Sequence, residues 1–432
     1  MVQQLFQKIS WKSACVIILL SLMVATHLGI VFSILRDDRP VIWPLHNDTI
    51  HRRGRGVDFY AVYHAGVNLR GGMDPYASNP DGITPYFYPF RYLPIVATVA
   101  QAFTLLSPQT AYFAWILLLE GILALLLVVL WKNIADLGVR LVTTGVLLIN
   151  SAYFLELYMG QFTFASITLG VLALLLPGGP ILFTGAVLLK PILLVALPAF
   201  VRERRYWAHG TWAILCCILL SVPYFMRHPE QWQVFFDKNL RIYGAPHSAG
   251  NYGFVYLLQL LVEDGDSTAV LQHWGKVVGA FRVLTLAATA LLVFHSKRRA
   301  VPVAVSALIL AHFLTYKHVW EHHMSGVCVL GALLMTVPDR HRLTSAAVLF
   351  SLVLLALPTP FALFDVAKDP RVWDPSLQWP RYNSYVLVLS KVVPTLILFL
   401  ATVADLCSSG LMSPFEAIRS ALTKTSSTEP SE

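Results

Sequence analysis

Between His51 and Leu93 the sequence gathers side chains suited to chemistry: Arg55-Gly56-Val57-Asp58-Phe59-Tyr60, then Gly72-Met73-Asp74-Pro75-Tyr76, then Tyr88-Pro89-Phe90-Arg91-Tyr92-Leu93-Pro94. In a chain that is apolar almost everywhere else, carboxylates, arginines and tyrosines collected beside a membrane have no packing reason to be there. Asp58 is the leading proton acceptor. It precedes Phe59, Val62, Tyr63, Gly66 and Leu69, a spacing that predicts a short helix over 59–69 lying on the membrane surface. At a helix start the unbonded N–H groups and the dipole favour an ionised carboxylate; the competing reading is that Asp58 only caps the helix. Tyr60, His64, Asp74 and Tyr76 in the same stretch are further polar candidates for a site.

A second constellation is Lys317-His318-Val319-Trp320-Glu321-His322-His323. His318 and His322 stand one helical turn apart with Glu321 between them, but in a zinc-binding helix the glutamate directly follows the first histidine. No acidic Asp-x-Asp motif is evident either, so neither a metal nor another cofactor is expected. These imidazoles suit donation to a phosphate or a sugar hydroxyl, and Lys317 adds fixed charge; an interfacial belt of satisfied histidines is the alternative. Lys317, Glu321, His322 and His323 therefore join the candidate site residues. Lys190 lies inside an apolar run directly before Pro191, where a charge must snorkel, pair or face a polar cavity. Arg91 and Arg241 are further cations at the outer boundary. Glu156 and Gly160-Gln161 mark a break between apolar runs.

The elements that must position these residues are membrane spans. The chain has 432 residues, 56% hydrophobic and 13% charged, with a net charge of +8, which is the composition of a polytopic membrane protein. The basic residues fall in short clusters between apolar runs and set topology, which excludes a nucleic-acid partner. Cys15, Cys216, Cys217, Cys328 and Cys407 lack metal or redox spacing. Spans are predicted over 13–35, 92–106, 110–131, 139–155, 162–176, 181–201, 211–225, 277–295, 301–316, 324–337, 343–363 and 385–407, about twelve, with both termini inside. Several runs are short, so broken helices are expected near Pro177 to Pro180 and near Pro191. This count puts Arg202 to Arg205, Lys297 to Arg299 and Arg340 to Arg342 inside, as basic residues prefer, but puts Lys132 and Arg140 outside and Gly160-Gln161 inside. Residues 1–412 form one membrane-embedded domain, and residues 413–432, rich in Ser and Thr, form a disordered cytoplasmic tail. Four segments, 51–91, 227–252, 317–323 and 365–382, collect on the outer side.

The ordered set Asp58-Phe59-Tyr60, Gly72 with Asp74-Pro75-Tyr76, Tyr88-Pro89 through Pro94, Gly160-Gln161, Lys190-Pro191 and Trp320-Glu321-His322-His323 resembles glycosyltransferase family 87, over about residues 57–330. Phe90 interrupts the family's Tyr-Pro-Pro run. The resemblance implies an all-α type C glycosyltransferase bundle in a bacterial plasma membrane. Its site would face away from the cytoplasm and move a hexose, mannose above all, from a polyprenyl-phosphate carrier to a glycolipid, glycan or other hydroxyl acceptor. Asp58 would then be the catalytic base and His322 a substrate contact, with Arg91, Lys190, Arg241 and Lys317 the other candidates for the phosphate and Tyr60, His64, Asp74, Tyr76, Glu321 and His323 candidates to contact the sugar or the acceptor. A transporter or flippase of a lipid-linked sugar needs similar charges, but no internal repeat of the kind that builds many transporters is evident. A purely structural membrane scaffold explains the hydropathy and leaves the outer loops without a purpose.

Overall fold

The computed structural model describes residues 11–45, 54–77, 83–85, 88–239, 251–265, 267–298, 300–360 and 380–412. Arg241, Arg299 and the tail 413–432 lie outside the described residues, as does most of the outer segment 365–382. The described chain is helical, with six stretches long and apolar enough to cross a membrane. In order come α1 (Trp11–Arg36), α2 (Val57–Arg70), α3 (Pro94–Ala100), α4 (Pro108–Asn133), α5 (Leu137–Leu148), α6 (Ser151–Met159), α7 (Thr163–Leu175), α8 (Gly179–Leu189) and α9 (Leu197–Arg202). They continue as α10 (Trp207–Arg227), α11 (Pro229–Asn239), α12 (Phe254–Asp264), α13 (Thr268–Gln272), α14 (Trp274–His295), α15 (Val301–Thr315), α16 (His323–Leu334), α17 (Arg342–Ala356) and α18 (Arg381–Cys407).

Local chemistry sets many boundaries. The Ser107 hydroxyl accepts from Thr110 N ahead of Pro108 at the start of α4, the Asp136 carboxylate accepts from Val139 N at α5, and the Asn150 amide oxygen accepts from Ala152 N at α6. In the interior α8 packs between α7 and α10, α16 lies on α7, and α17 packs on α16 and α18. Large apolar side chains such as Leu22 and Phe32 on α1, Leu219 on α10, and Val283 and Leu284 on α14 face outward, as on helices whose solvent is lipid.

Three expectations need correction. The helix that carries Asp58 is not a surface helix: nearly every residue of α2 is buried, against α3 and α4 among others. Segment 92–106 does not cross the bundle. After the seven residues of α3 and a 3₁₀ turn at Phe103–Leu105, the Tyr63 hydroxyl of α2 donates to Leu106 O at 2.8 Å, so the chain has returned to where it started. Segment 181–201, conversely, is two pieces. It breaks at Lys190-Pro191, since proline cannot continue the α8 hydrogen-bond ladder, and turns back through a 3₁₀ stretch Pro191–Ala196 into α9.

The lost crossing at 92–106 moves two loops. Gly56 N–H donates to Tyr158 O at 2.7 Å, so Gly160-Gln161 lies at the Asp58 end and not opposite to it. Lys132, twenty residues along α4 from Tyr112, is carried about 30 Å away at a rise of about 1.5 Å per residue, to the far end. There the expected basic clusters meet: Arg202 donates to Arg298 O at 3.2 Å and to Ser296 O, while Arg298 and Arg340 pair with Asp405 at 3.2 and 2.9 Å. Lys297 N–H to Gly410 O at 2.9 Å and Met412 N–H to His295 O at 2.6 Å pin the end of the described chain to the same place.

Candidate active site

Asp58 sits in the first turn of α2 and is 6% exposed. The cap position is Gly56, in the left-handed region at φ 75°, so Asp58 lies inside the first turn and is not the N-cap residue. Its neighbours are fixed by a close backbone crossing. Gly160, at φ 68°, ends α6 where any Cβ would fall 2.5 Å from the Phe59 Cβ, so only glycine lets the turn after α6 press against α2. The Tyr112 hydroxyl donates to Leu157 O at 2.9 Å and Tyr158 O at 3.1 Å, tying that turn to α4 as well.

The crossing places the break between α6 and α7 against Lys190. The Lys190 ammonium donates to Gln161 Oε1 at 3.2 Å and Thr163 Oγ1 at 2.6 Å, and the carboxylates acting on it are Glu156 and Asp58. Glu156, fully buried, accepts from Phe164 N at 2.7 Å, at the N-terminus of α7, and from the Ser325 hydroxyl at 2.9 Å. That last bond joins the Trp320–His323 turn to the cluster. His322 and His323 rings lie 4.3 Å apart, and His323 Nδ1 accepts from Trp320 N–H at 2.9 Å, which leaves its ring proton for Nε2. Burial, then the Asp58 and Glu156 carboxylates, hold the Tyr92 phenol well above its ordinary pKa, so it stays a neutral hydroxyl beside them.

An apolar cavity of about 260 Å³ is lined by Phe59, Val62, Val99, Trp115, Phe162 and Leu189 among others. Phe59 follows Asp58, Phe162 follows Gln161, and Leu189 precedes Lys190, so three of the lining residues are chain neighbours of the polar cluster.

The other candidates sort by position. Tyr60 is buried against Tyr112 at 6.0 Å between ring centroids, and His64 is buried one turn on. Asp74 organises its own loop: its Oδ1 accepts from Tyr76 N at 2.9 Å and from the Tyr224 hydroxyl of α10 at 2.8 Å, while the Tyr76 hydroxyl donates to Tyr92 O at 2.8 Å. Glu321 turns to α17 and α18, accepting from Thr359 N at 3.1 Å with Lys391 Nζ 3.8 Å away. Arg91 is exposed, its guanidinium 4.9 Å from the Tyr88 ring centroid, and Lys317 is half-buried beyond the end of α15. Sequence reasoning missed Thr163, Ser325 and Lys391. Lys391 had the signal that exposed Lys190, a lone charge in an apolar run; the two hydroxyls had none. Among the described residues no three His, Cys, Asp or Glu side chains converge as metal ligands.

A buried carboxylate, an ammonium oriented by neutral oxygens and an apolar cavity at their edge can together take a proton and hold a phosphate whose tail is hydrocarbon. Neither a family model nor a curated protein matches the sequence.

Proposed function

We propose that this chain is a membrane glycosyltransferase. It moves a hexose, mannose by the resemblance to family 87, from a polyprenyl phosphate to a hydroxyl of a glycolipid, glycan or other acceptor. The observation that carries the reading is the buried Lys190, held by Gln161 and Thr163 directly after the cavity-lining Leu189, with Asp58 among the charges acting on it. In the step proposed, the acceptor oxygen attacks the anomeric carbon, the bond from that carbon to the phosphate oxygen breaks, Asp58 takes the acceptor proton, and the polyprenyl phosphate leaves with its charge met by Lys190. His322 and His323 are placed to contact the sugar or the phosphate. The bundle is read as a type C glycosyltransferase fold in a bacterial plasma membrane, with the basic end cytoplasmic and the Asp58 end outside. The loss of a crossing at 92–106 and the gain of one at Pro191 cancel, so twelve passes and inner termini are retained.

Asp58→Asn tests the reading. The amide keeps the size and cannot usefully accept the proton, and a positioned base is worth about a hundredfold to ten-thousandfold in rate. Transfer from polyprenyl-phosphate-mannose is expected to fall by at least the lower figure while donor binding is retained. Full activity would move the search for a base to Asp74 and the other carboxylates at that end. A protein that translocates the lipid-linked sugar without transferring it would instead be a flippase.

A further inference from the structure

The first helix, α1, turns large apolar side chains outward along much of its length, yet its last turn is gripped by a residue that stands three places before Asp58. The Arg55 guanidinium donates from Nη1 to Ile34 O at 2.9 Å and to Leu35 O at 3.0 Å. These are last-turn carbonyls, which a helix end leaves without intrahelical partners, and the helix dipole favours a cation there. Nη2 reaches Asp38 Oδ1 at 3.3 Å, and the guanidinium carbon lies 6.0 and 5.7 Å from the Tyr112 and Phe113 ring centroids of α4. With 11% of its side chain exposed and both terminal nitrogens engaged, Arg55 is committed to protein partners. The circuit closes through the next residue: Gly56 N–H donates to Tyr158 O at 2.7 Å, and the Tyr158 hydroxyl donates to Asp38 O at 3.2 Å, on the chain leaving α1. About two turns earlier in α1, His27 Nδ1 donates to Leu148 O at 2.7 Å and its Nε2 meets Glu120 at 2.8 Å, a carboxylate that also accepts from the Tyr153 hydroxyl at 2.9 Å. The end of α1 is therefore a reference held by α4, α5 and α6, against which the chain entering α2 is set.

We propose that Arg55 is the positioning residue for Asp58: by binding the end of α1 it sets how the first turn of α2 enters the site. Gly56 is why such a grip is needed. Its left-handed φ of 75° is one of several conformations that glycine adopts with equal ease, so the joint between Arg55 and Asp58 does not hold its own direction. Lysine could not replace Arg55, since a point charge on a flexible stem lacks the planar fork that spans two carbonyls and a carboxylate while lying against aromatic rings. The proposal rests on the glycosyl-transfer reading for what Asp58 does, and on the hydrogen bonds of Arg55 and Gly56 for where Asp58 stands.

The test separates position from folding. Wild type, Arg55→Lys and Arg55→Gln are compared as full chains in phosphatidylcholine nanodiscs. Three quantities are read: hydrogen exchange of the amides at the start of α2, undecaprenyl phosphate binding by tryptophan fluorescence, and kcat for transfer from polyprenyl-phosphate-mannose. Both variants are expected to exchange about tenfold faster at Gly56 and Tyr60 while α14 keeps its wild-type rates, a local opening that follows the loss of charged hydrogen bonds. Their kcat is expected to fall about tenfold or more with donor affinity within about twofold of wild type, because a misplacement of about 1 Å can cost about a hundredfold in rate. A merely structural arginine would lower Tm and leave kcat per folded molecule unchanged. That result overturns the proposal, as does wild-type exchange at Gly56 and Tyr60. Should Arg55→Gln fail to fold, Arg55→Lys, which keeps the charge and a long stem, carries the same expectations. Faster exchange at the start of α2 in a chain whose wild type transfers no sugar would sink the enzymatic reading and leave Arg55 as the residue that sets Asp58 in place.

Discussion

Both ends of the bundle bury charge, and they do it in opposite ways. At the basic end the carboxylate of Asp405, with its side chain 1% exposed, sits between Arg298 and Arg340 in direct ion pairs. Near Asp58, Lys190 is held by the neutral oxygens of Gln161 and Thr163, and Glu156 by a backbone N–H and a hydroxyl. Among the described residues these two charges form no direct pair with each other; they act across space. A closed pair must be broken before either member can serve a ligand, and breaking one inside a protein costs about 3–5 kcal/mol. A charge oriented by neutral groups can meet a ligand's counter-charge with its geometry already set. Glu321 and Lys391 show that the contrast is not simply one end against the other: 3.8 Å apart and both buried, they belong with the closed kind. That pair, with Lys391 also donating to Leu355 O and Leu357 O, joins the Trp320–His323 turn to α17 and α18.

The largest effect outside the chemistry itself is expected from Asp405→Asn. It strands two guanidiniums at a buried point and should cost about 3–5 kcal/mol, read as a lower Tm in detergent. Because the ends are far apart, donor affinity of the folded variant should stay within about twofold of wild type. An unchanged Tm would mean that this ion pair contributes nothing and that the contrast between the ends is illusory. Lys190→Met probes the other kind of charge. Its expected outcome is a loss of about tenfold in affinity for polyprenyl phosphate with acceptor affinity preserved, and unchanged donor affinity would return Lys190 to the role of a snorkelling side chain.

The smallest effect belongs to a closed network in water, where Arg381 meets Asp264 at 2.8 Å and Glu263 at 2.6 Å. Hydrogen bonds from Tyr385 and then Arg381 hold the Asp264 carboxyl below its ordinary pKa. A depressed folded value gives stability that is present above the unfolded pKa and lost as the pH falls through the folded one. Arg381→Gln should therefore lower Tm slightly at neutral pH, and the difference should shrink as the carboxylates protonate. A gap that widens toward acid would contradict this.

Much of the fold was legible because a long apolar run must satisfy its own backbone: runs predicted at 110–131 and 277–295 became α4 and α14 with only a few residues added at the ends. The break at Pro191 was legible from proline chemistry. The place of segment 92–106 was not, since nothing local distinguishes a short apolar helix that crosses from one that only leads back along α2; the hydrogen bond from Tyr63 to Leu106 is a tertiary fact. That one misreading put Gln161 on the wrong side and hid its bond to Lys190. Lys391 was overlooked as an isolated charge in an apolar stretch. Asp58, Lys190 and His323 were singled out from residue type and place, but which neighbours they meet depends on how α2, α7, α8 and α16 pack.

The position of Asp405 in the chain gives the basic end a history. Synthesis proceeds from the N-terminus, so Arg202, Arg298 and Arg340 leave the ribosome well before the one carboxylate that joins two of them. On the proposed orientation Arg298 and Arg340 act as inside charges while the helices insert, before Asp405 has been made; when α18 arrives it pairs with both, and the backbone bonds of Gly410 and Met412 staple the same end. Orientation and stability are thereby separated in time and draw on the same residues in succession. A chain cut after Leu400, with a single cysteine replacing Arg298, should still be labelled from the cytoplasmic side and should be degraded quickly; labelling from the opposite side would show that Asp405 helps to set the orientation it later secures.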